Sequence, residues 1–236
     1  MSSIPDGLGN DSRKFLILRS IAFFASVLFV ALRFLTRRLT HSVSHEDWVC
    51  LASLVFAAGF SICFTLQLTI GRAGYHEYLF NRAELEMYNK LSVSSNAMHA
   101  CTVTLSKISI LLFLKRVFAV HRSFGRFVCV MNIVVLLQGL SSLIGMSISC
   151  VPIEAQWKSW LPKKCMDPKA FLYSVSIINI LLDVIILLAP QPLVWRLHMG
   201  LQRKMFVSAL FMVGGLVCII SIIRFVALTK LVYHDM

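Results

Sequence analysis

Residues 48–70, WVCLASLVFAAGFSICFTLQLTI, decide the fold: 23 residues without a charge, bounded by Glu46-Asp47 on one side and Arg72 on the other. An α-helix rises about 1.5 Å per residue, so this run covers about 35 Å and can cross a hydrocarbon core of about 30 Å. Lipid offers no partner to free backbone N–H and C=O groups, and the run is too long for a barrel strand. It therefore reads as a spanning helix.

Five more apolar blocks flank it, at about 15–35, 91–114, 127–149, 170–189 and 205–228. The first is long for the core of a secretory leader, and Arg33, Arg37 and Arg38 close it like a stop-transfer signal, so a retained helix is expected. Residues 1–14 are polar and are expected to form an external segment. No seventh apolar block follows Arg224. The expected architecture is all-α: a polytopic bundle of six spans, forming one transmembrane domain over residues 15–236.

Composition agrees. Hydrophobic residues make up 58% of the chain, charged residues 14%, and the mean hydropathy is +0.78. A water-soluble domain carries about 25% charge, so this chain lacks the polar surface to cover itself in water. The net charge of +12 lies on the connections between blocks, beside lipid headgroups, and forms no stripe of the kind that tracks nucleic acid.

Sidedness is not settled by counting. With an external N-terminus, the internal connections (33–47, 115–126, 191–204) hold ten Lys and Arg against eleven on the external ones. Two other features point to an external N-terminus. Asn10-Asp11-Ser12 is a glycosylation acceptor pattern. Cys150 and Cys165 stand at the two mouths of one polar loop, where an oxidising compartment would keep a disulfide. Cys50, Cys63, Cys101, Cys129 and Cys218 lie inside apolar blocks and read as small buried hydrophobes.

Several short strings appear in order: Glu46-Asp47-Trp48, GRAGYH (71–76), KISILLFLKR (107–116), Cys150-Val151-Pro152 with Trp157 and Cys165, Asp183 with PQPLVW (190–195), and SIIR (221–224). Together they resemble the fungal rhodopsin-domain integral membrane family, which includes receptor-like proteins of the Pth type and membrane proteins of toxin biosynthesis clusters. The resemblance covers about residues 30–230 and implies a seven-helix, receptor-like architecture with an external N-terminus, from which this sequence departs by showing six blocks. It does not imply retinal. A retinal Schiff base needs a buried lysine on the helix for which no block is found, whereas Lys107, the one lysine inside a block, lies on the third. No cofactor is expected.

The third block holds the most polar pattern. At 100° per residue, Ser92, Ser95, Asn96, His99, Thr102, Ser106 and Lys107 share an arc of about 140°, which in a membrane must face other helices or a wet cavity. Two readings stay open: hydrogen bonds that hold the bundle together, or the wall of a ligand cavity. On the fifth block Asp183 is the one carboxylate inside an apolar run, with Asn179 and Ser176 on its face. Such a group is a functional candidate by default and a fixed counter-ion otherwise. Asn96, His99, Thr102, Ser106, Lys107, Asn179 and Asp183 are the candidate cavity residues. Lys107 and Asp183 each lie seven residues from the inner end of their block, about 10 Å deep, and are expected to pair.

Other features have plain structural readings. His41, His45, Glu46 and Asp47 could ligate a metal on a helix, but read better as a solvated juxtamembrane segment. Ser141, Gly145 and Ser149 on the fourth block, and Gly214-Gly215 on the sixth, read as close-packing surfaces. No Ser/His/Asp or Cys/His arrangement, phosphate loop or acidic metal cluster is found, so an enzyme is the less favoured class. The leading expectation is a receptor-like protein of the plasma membrane or an endomembrane that senses a small external or lipid-soluble ligand. The alternatives are a membrane-embedded enzyme or accessory factor of secondary metabolism, or a transporter of a hydrophobic metabolite. The expected partners are the bilayer and that ligand, with further helices or subunits left open and nucleic acid excluded.

Overall fold

The computed structural model describes residues 10–39, 44–69, 82–118, 122–158, 164–165 and 168–191, with Met212, Gly214 and Gly215. They divide after Cys165 into two compact units, and each is described by itself. The first contains α1 (Asn10–Leu39), α2 (His45–Thr69), α3 (Arg82–Val117), α4 (Arg122–Ser147), strand β1 (Cys150–Val151), a 3-10 turn (Ile153–Gln156) and strand β2 (Lys164–Cys165). The second contains α5 (Pro168–Leu188). Among the described residues, these five helices are long and apolar enough to cross a membrane. The sixth expected span, 205–228, lies outside the described residues except at Met212, Gly214 and Gly215.

The helices overrun the apolar blocks. The first begins at Asn10 rather than 15, so part of the expected N-terminal segment is helical. The third begins at Arg82 rather than 91 and runs 36 residues, about 54 Å, well beyond a hydrocarbon core. Charge ends an apolar run without ending a hydrogen-bonded helix. Lys90 pairs with Glu86 one turn back at 2.7 Å, the (i, i+4) spacing that supports an exposed helical turn. Pro168 opens α5, where its missing N–H is an orphan donor in any case. After Leu188 a single further bond, Ala189 N–H to the Ile185 carbonyl (3.0 Å), precedes Pro190.

Within the first unit α1 packs on α2, α2 on α3 and α3 on α4. Outward faces are strongly apolar: Phe24, Phe29, Val55, Ile62, Val130 and Leu137 are all exposed. Buried positions include Glu46, Asp47, Ser53, Gln67, Ser95, Lys107 and Ser109. A protein in water places such groups the other way round; lipid as the outer solvent accounts for both.

On α4 the buried side is Phe124, Val128, Met131, Val135, Gly139 and Ser142, one stripe at spacings of three and four. A Cβ on Gly139 would stand 2.8 Å from Thr104 Cγ2, so glycine is what lets α3 and α4 approach here. The small residues Ser141, Gly145 and Ser149, which the sequence suggested as a packing surface, are not part of this buried stripe among the described residues. Ser141 is exposed, and the Ser141 and Ser149 hydroxyls donate to carbonyls of their own helix, those of Gln138 and Gly145. The stripe follows the bulky apolar residues, and only its single glycine marks the close approach. In the second unit a Cβ on Gly214 would overlap Leu187, so Gly214 does lie at a close contact, while the same position on Gly215 meets nothing.

Candidate functional site

None of the seven polar residues of the α3 arc is exposed. Ser95 and Lys107 are buried and Ser92, Asn96, His99, Thr102 and Ser106 are half-buried, while Ile110 on the same face and Ser94 on the other are exposed. Thr102 Oγ1 donates to the Met98 carbonyl at 2.8 Å and Thr104 Oγ1 to Ala100 at 2.8 Å, so those two hydroxyls return to their own helix. His99 of the arc meets the neighbouring helix α2. Its ring lies 4.9 Å from that of Phe60 on α2. The Arg19 guanidinium from α1 sits over the Phe60 and Phe64 rings, 3.7 and 4.1 Å from their centroids. Three helices thus contribute to one cation–aromatic layer.

In the second unit Asn179 and Asp183 are half-buried on one face of α5, with Ser176 on the same side. Lys107 belongs to the first unit and Asp183 to the second, so their expected pairing continues to rest on depth along the sequence.

About 20 Å along α1 from Arg19, at the end of the bundle that carries Ser44, lies a cluster of charges. Ser44 precedes α2, and its backbone N–H donates to Asp47 Oδ2 at 3.0 Å, one half of a capping box. The other Asp47 oxygen takes a bond from Arg33 Nε at 2.8 Å, with Arg37 Nε at 3.9 Å. Glu46 Oε1 accepts from Arg37 of α1 and Arg116 of α3, each at 3.0 Å. Arg116 also donates to Ser44 Oγ. The Glu46 backbone carbonyl accepts from the buried Ser109 hydroxyl of α3 at 3.0 Å. Two carboxylates, 0% and 5% exposed, thereby clasp the ends of three helices. Both also sit in the first turn of α2, where the helix dipole favours negative charge.

This clasp corrects the sequence reading of Glu46 and Asp47 as a solvated segment. The signal was present as Ser44-x-x-Asp47, Arg33 and Arg37 one turn apart, and Ser109 and Arg116 two turns apart. Hydropathy hides it, because basic residues at helix ends already have an explanation in headgroups. The arrangement also bears on metal binding: Glu46 and Asp47 are committed to guanidinium groups while His45 is exposed, and His41 lies outside the described residues. Among the described residues, no three His, Cys, Asp or Glu come together as a metal site.

At the opposite end β1 and β2 pair antiparallel with Cys150 opposite Cys165, and the expected disulfide is formed across that pair, Cα atoms 4.0 Å apart. The Val151–Pro152 peptide is cis. The turn that follows is tied to α4 by Gln156 Nε2 donating to the Met146 carbonyl, and Ala155 is fully buried. Asn10, the expected glycosylation acceptor, is the first residue of α1.

The described sites thus comprise a charge clasp at one end, a disulfide hairpin at the other and a polar face of α3 between them. A model of the fungal rhodopsin domain matches residues 32–235, most of the chain. The chain belongs to the fungal rhodopsin-domain family. Among curated proteins, its relatives include "Polyenoic acids biosynthesis gene cluster protein Ba17b" of Metarhizium anisopliae, 28% identical over 86% of this chain and 59% of the relative. A "SAT4 family membrane protein" of Emericella nidulans is 29% identical over 64% of this chain and 40% of its own length. "Fugralins biosynthesis cluster protein 2" of Gibberella zeae is 30% identical over 37% of this chain and 22% of its own length. This fungal rhodopsin-domain protein therefore spans about half the length of the curated relatives it matches. No solved structure matches it.

Proposed function

We propose that this fungal rhodopsin-domain protein is a receptor-like membrane protein that receives a small external or lipid-soluble ligand against the polar arc of α3. In this reading it spans the membrane six times, with both termini external and the Ser44 end cytoplasmic. The observation that carries the proposal is that Lys107 is buried and Asn96, His99 and Ser106 are half-buried on α3, with His99 against Phe60 of α2 and Arg19 of α1 over that same ring. Intramembrane polar groups of this kind mark functional positions, and a ligand that dissolves in lipid can reach them laterally. Asn179 and Asp183 are the candidate contribution of α5.

A second reading has its own support. Relatives named as biosynthesis-cluster proteins favour an accessory factor or embedded enzyme of fungal secondary metabolism, or a transporter of its product.

Deletion of the gene, followed by metabolite and transcript profiling, separates the two. The receptor reading predicts altered transcription with no single precursor accumulating, and the same phenotype when His99→Ala/Ser106→Ala replaces the native copy at normal abundance. Accumulation of one biosynthetic precursor would overturn it in favour of an enzyme. Retention of the end product inside the cell would overturn it in favour of a transporter. Topology is tested separately: a C-terminal tag should be accessible outside sealed cells, and glycosidase should shift the native chain but not Asn10→Gln. A cytoplasmic tag would reject the six-span arrangement.

A further inference from the structure

The clasp has a consequence for the surface around it. At the Ser44 end of the first unit, the carboxylates carried by residues 33–47 and 115–126 are Glu46 and Asp47, and both are buried against arginines. Neither contributes negative charge to the surface. Among the described residues, the exposed charged side chains at this end are Arg38, Lys115, Arg116, Arg122 and Arg126, all of them basic. The helix ends that carry them are fastened to one another. Arg116 reaches Glu46 and Ser44 at the start of α2, and Arg37, next to Arg38, binds the same Glu46 oxygen. The Phe118 and Phe124 rings meet at 5.3 Å, which folds the start of α4 back against the end of α3. Phe124 turns inward there while Arg122 and Arg126, one turn apart, stay outside.

We propose that this end binds the headgroup of an anionic membrane lipid, with preference for one carrying several phosphate charges. The groups sit where apolar helices leave the hydrocarbon, at headgroup depth. Four of the five are arginines, whose planar donors take phosphate oxygens two at a time. Basic residues beside an anionic membrane surface contribute additively, so clustering favours a multiply charged headgroup over several single ones.

The test uses the purified full-length chain in neutral detergent micelles, titrated with a short-chain fluorescent phosphatidylinositol bisphosphate and followed by anisotropy. Saturable binding is expected, tighter than for the phosphatidylserine analogue. Arg122→Gln/Arg126→Gln should weaken it about 25-fold, two basic residues at about 1 kcal/mol each with 1.4 kcal/mol per tenfold. Neither arginine belongs to the clasp, and gel filtration checks that the variant is folded. Arg38→Gln/Lys115→Gln provides an independent pair with the same expected effect. Lys90→Gln, toward the other end of α3, should leave binding unchanged. The proposal is overturned if both pairs bind like the native chain, if Lys90→Gln weakens binding equally, or if phosphatidylserine or phosphatidylcholine binds as tightly.

Discussion

The two ends of the first unit are fastened by different chemistry. At the Ser44 end Glu46 and Asp47 hold Arg33, Arg37 and Arg116 from two neighbouring helices. At the hairpin end Cys150 and Cys165 close one loop covalently. The clasp acts in the folded state: it is favourable only while every charge keeps its partners, because a lone buried charge is far worse than none. The disulfide acts largely on the unfolded chain by limiting the conformations its loop can explore. One fastening therefore fails when a partner is removed, the other when the solvent becomes reducing.

The largest effect should follow Asp47→Ala. It leaves Arg33 facing an apolar contact, its Cζ 5.3 Å from the Phe113 ring, and takes a partner from the Ser44 N–H. Breaking a buried pair on one side costs about 3–5 kcal/mol, read as loss of stability in mixed-micelle unfolding. Next comes Cys150→Ser, or reduction of the native chain. A loop of about 15 residues corresponds to about 3 kcal/mol, and reductant should destabilise the native chain but not the variant. If reductant affects both alike, the hairpin bond is not the element it acts on. Gly139→Leu should cost about 1–3 kcal/mol by forcing α4 away from Thr104, while Gly215→Leu, which meets nothing, should cost little. Within the clasp the smallest effect is expected for Arg116→Gln, about 1 kcal/mol, because this arginine is 42% exposed and solvent already screens its pairing.

The sequence revealed the membrane class, the positions of five helices and the disulfide, because each rests on a local pattern: an uncharged run of spanning length, or two cysteines at the mouths of one polar loop. The inward orientation of Lys107 and Ser95 was legible too, since lipid leaves polar side chains few other places. The clasp was not, although its arginines and carboxylates stand out in the sequence. Its paired arginines and carboxylates lie 9 to 70 positions apart along the chain, and nothing local distinguishes a paired arginine from one that reaches a headgroup. The face of α4 that packs on α3 was not legible for a related reason. Spacing identifies residues that share a face, but which face meets α3 depends on bulk, and Val128, Met131 and Val135 outweigh Ser141 and Ser149. The layer of Arg19, Phe60, Phe64 and His99 was only half visible, because its aromatic members look like any other apolar residue in a lipid-facing run.

The most direct test of the clasp is a double-mutant cycle on Arg33 and Asp47, using Arg33→Met, Asp47→Asn and the double variant in mixed-micelle unfolding. A shared buried pair predicts non-additivity: the double variant should be more stable than the sum of the two single losses implies, by about 2 kcal/mol, within the range for residues of one network. Single losses that add to within about 0.5 kcal/mol would show that the two side chains do not act on each other, and would contradict the clasp as the fastening of α1 to α2.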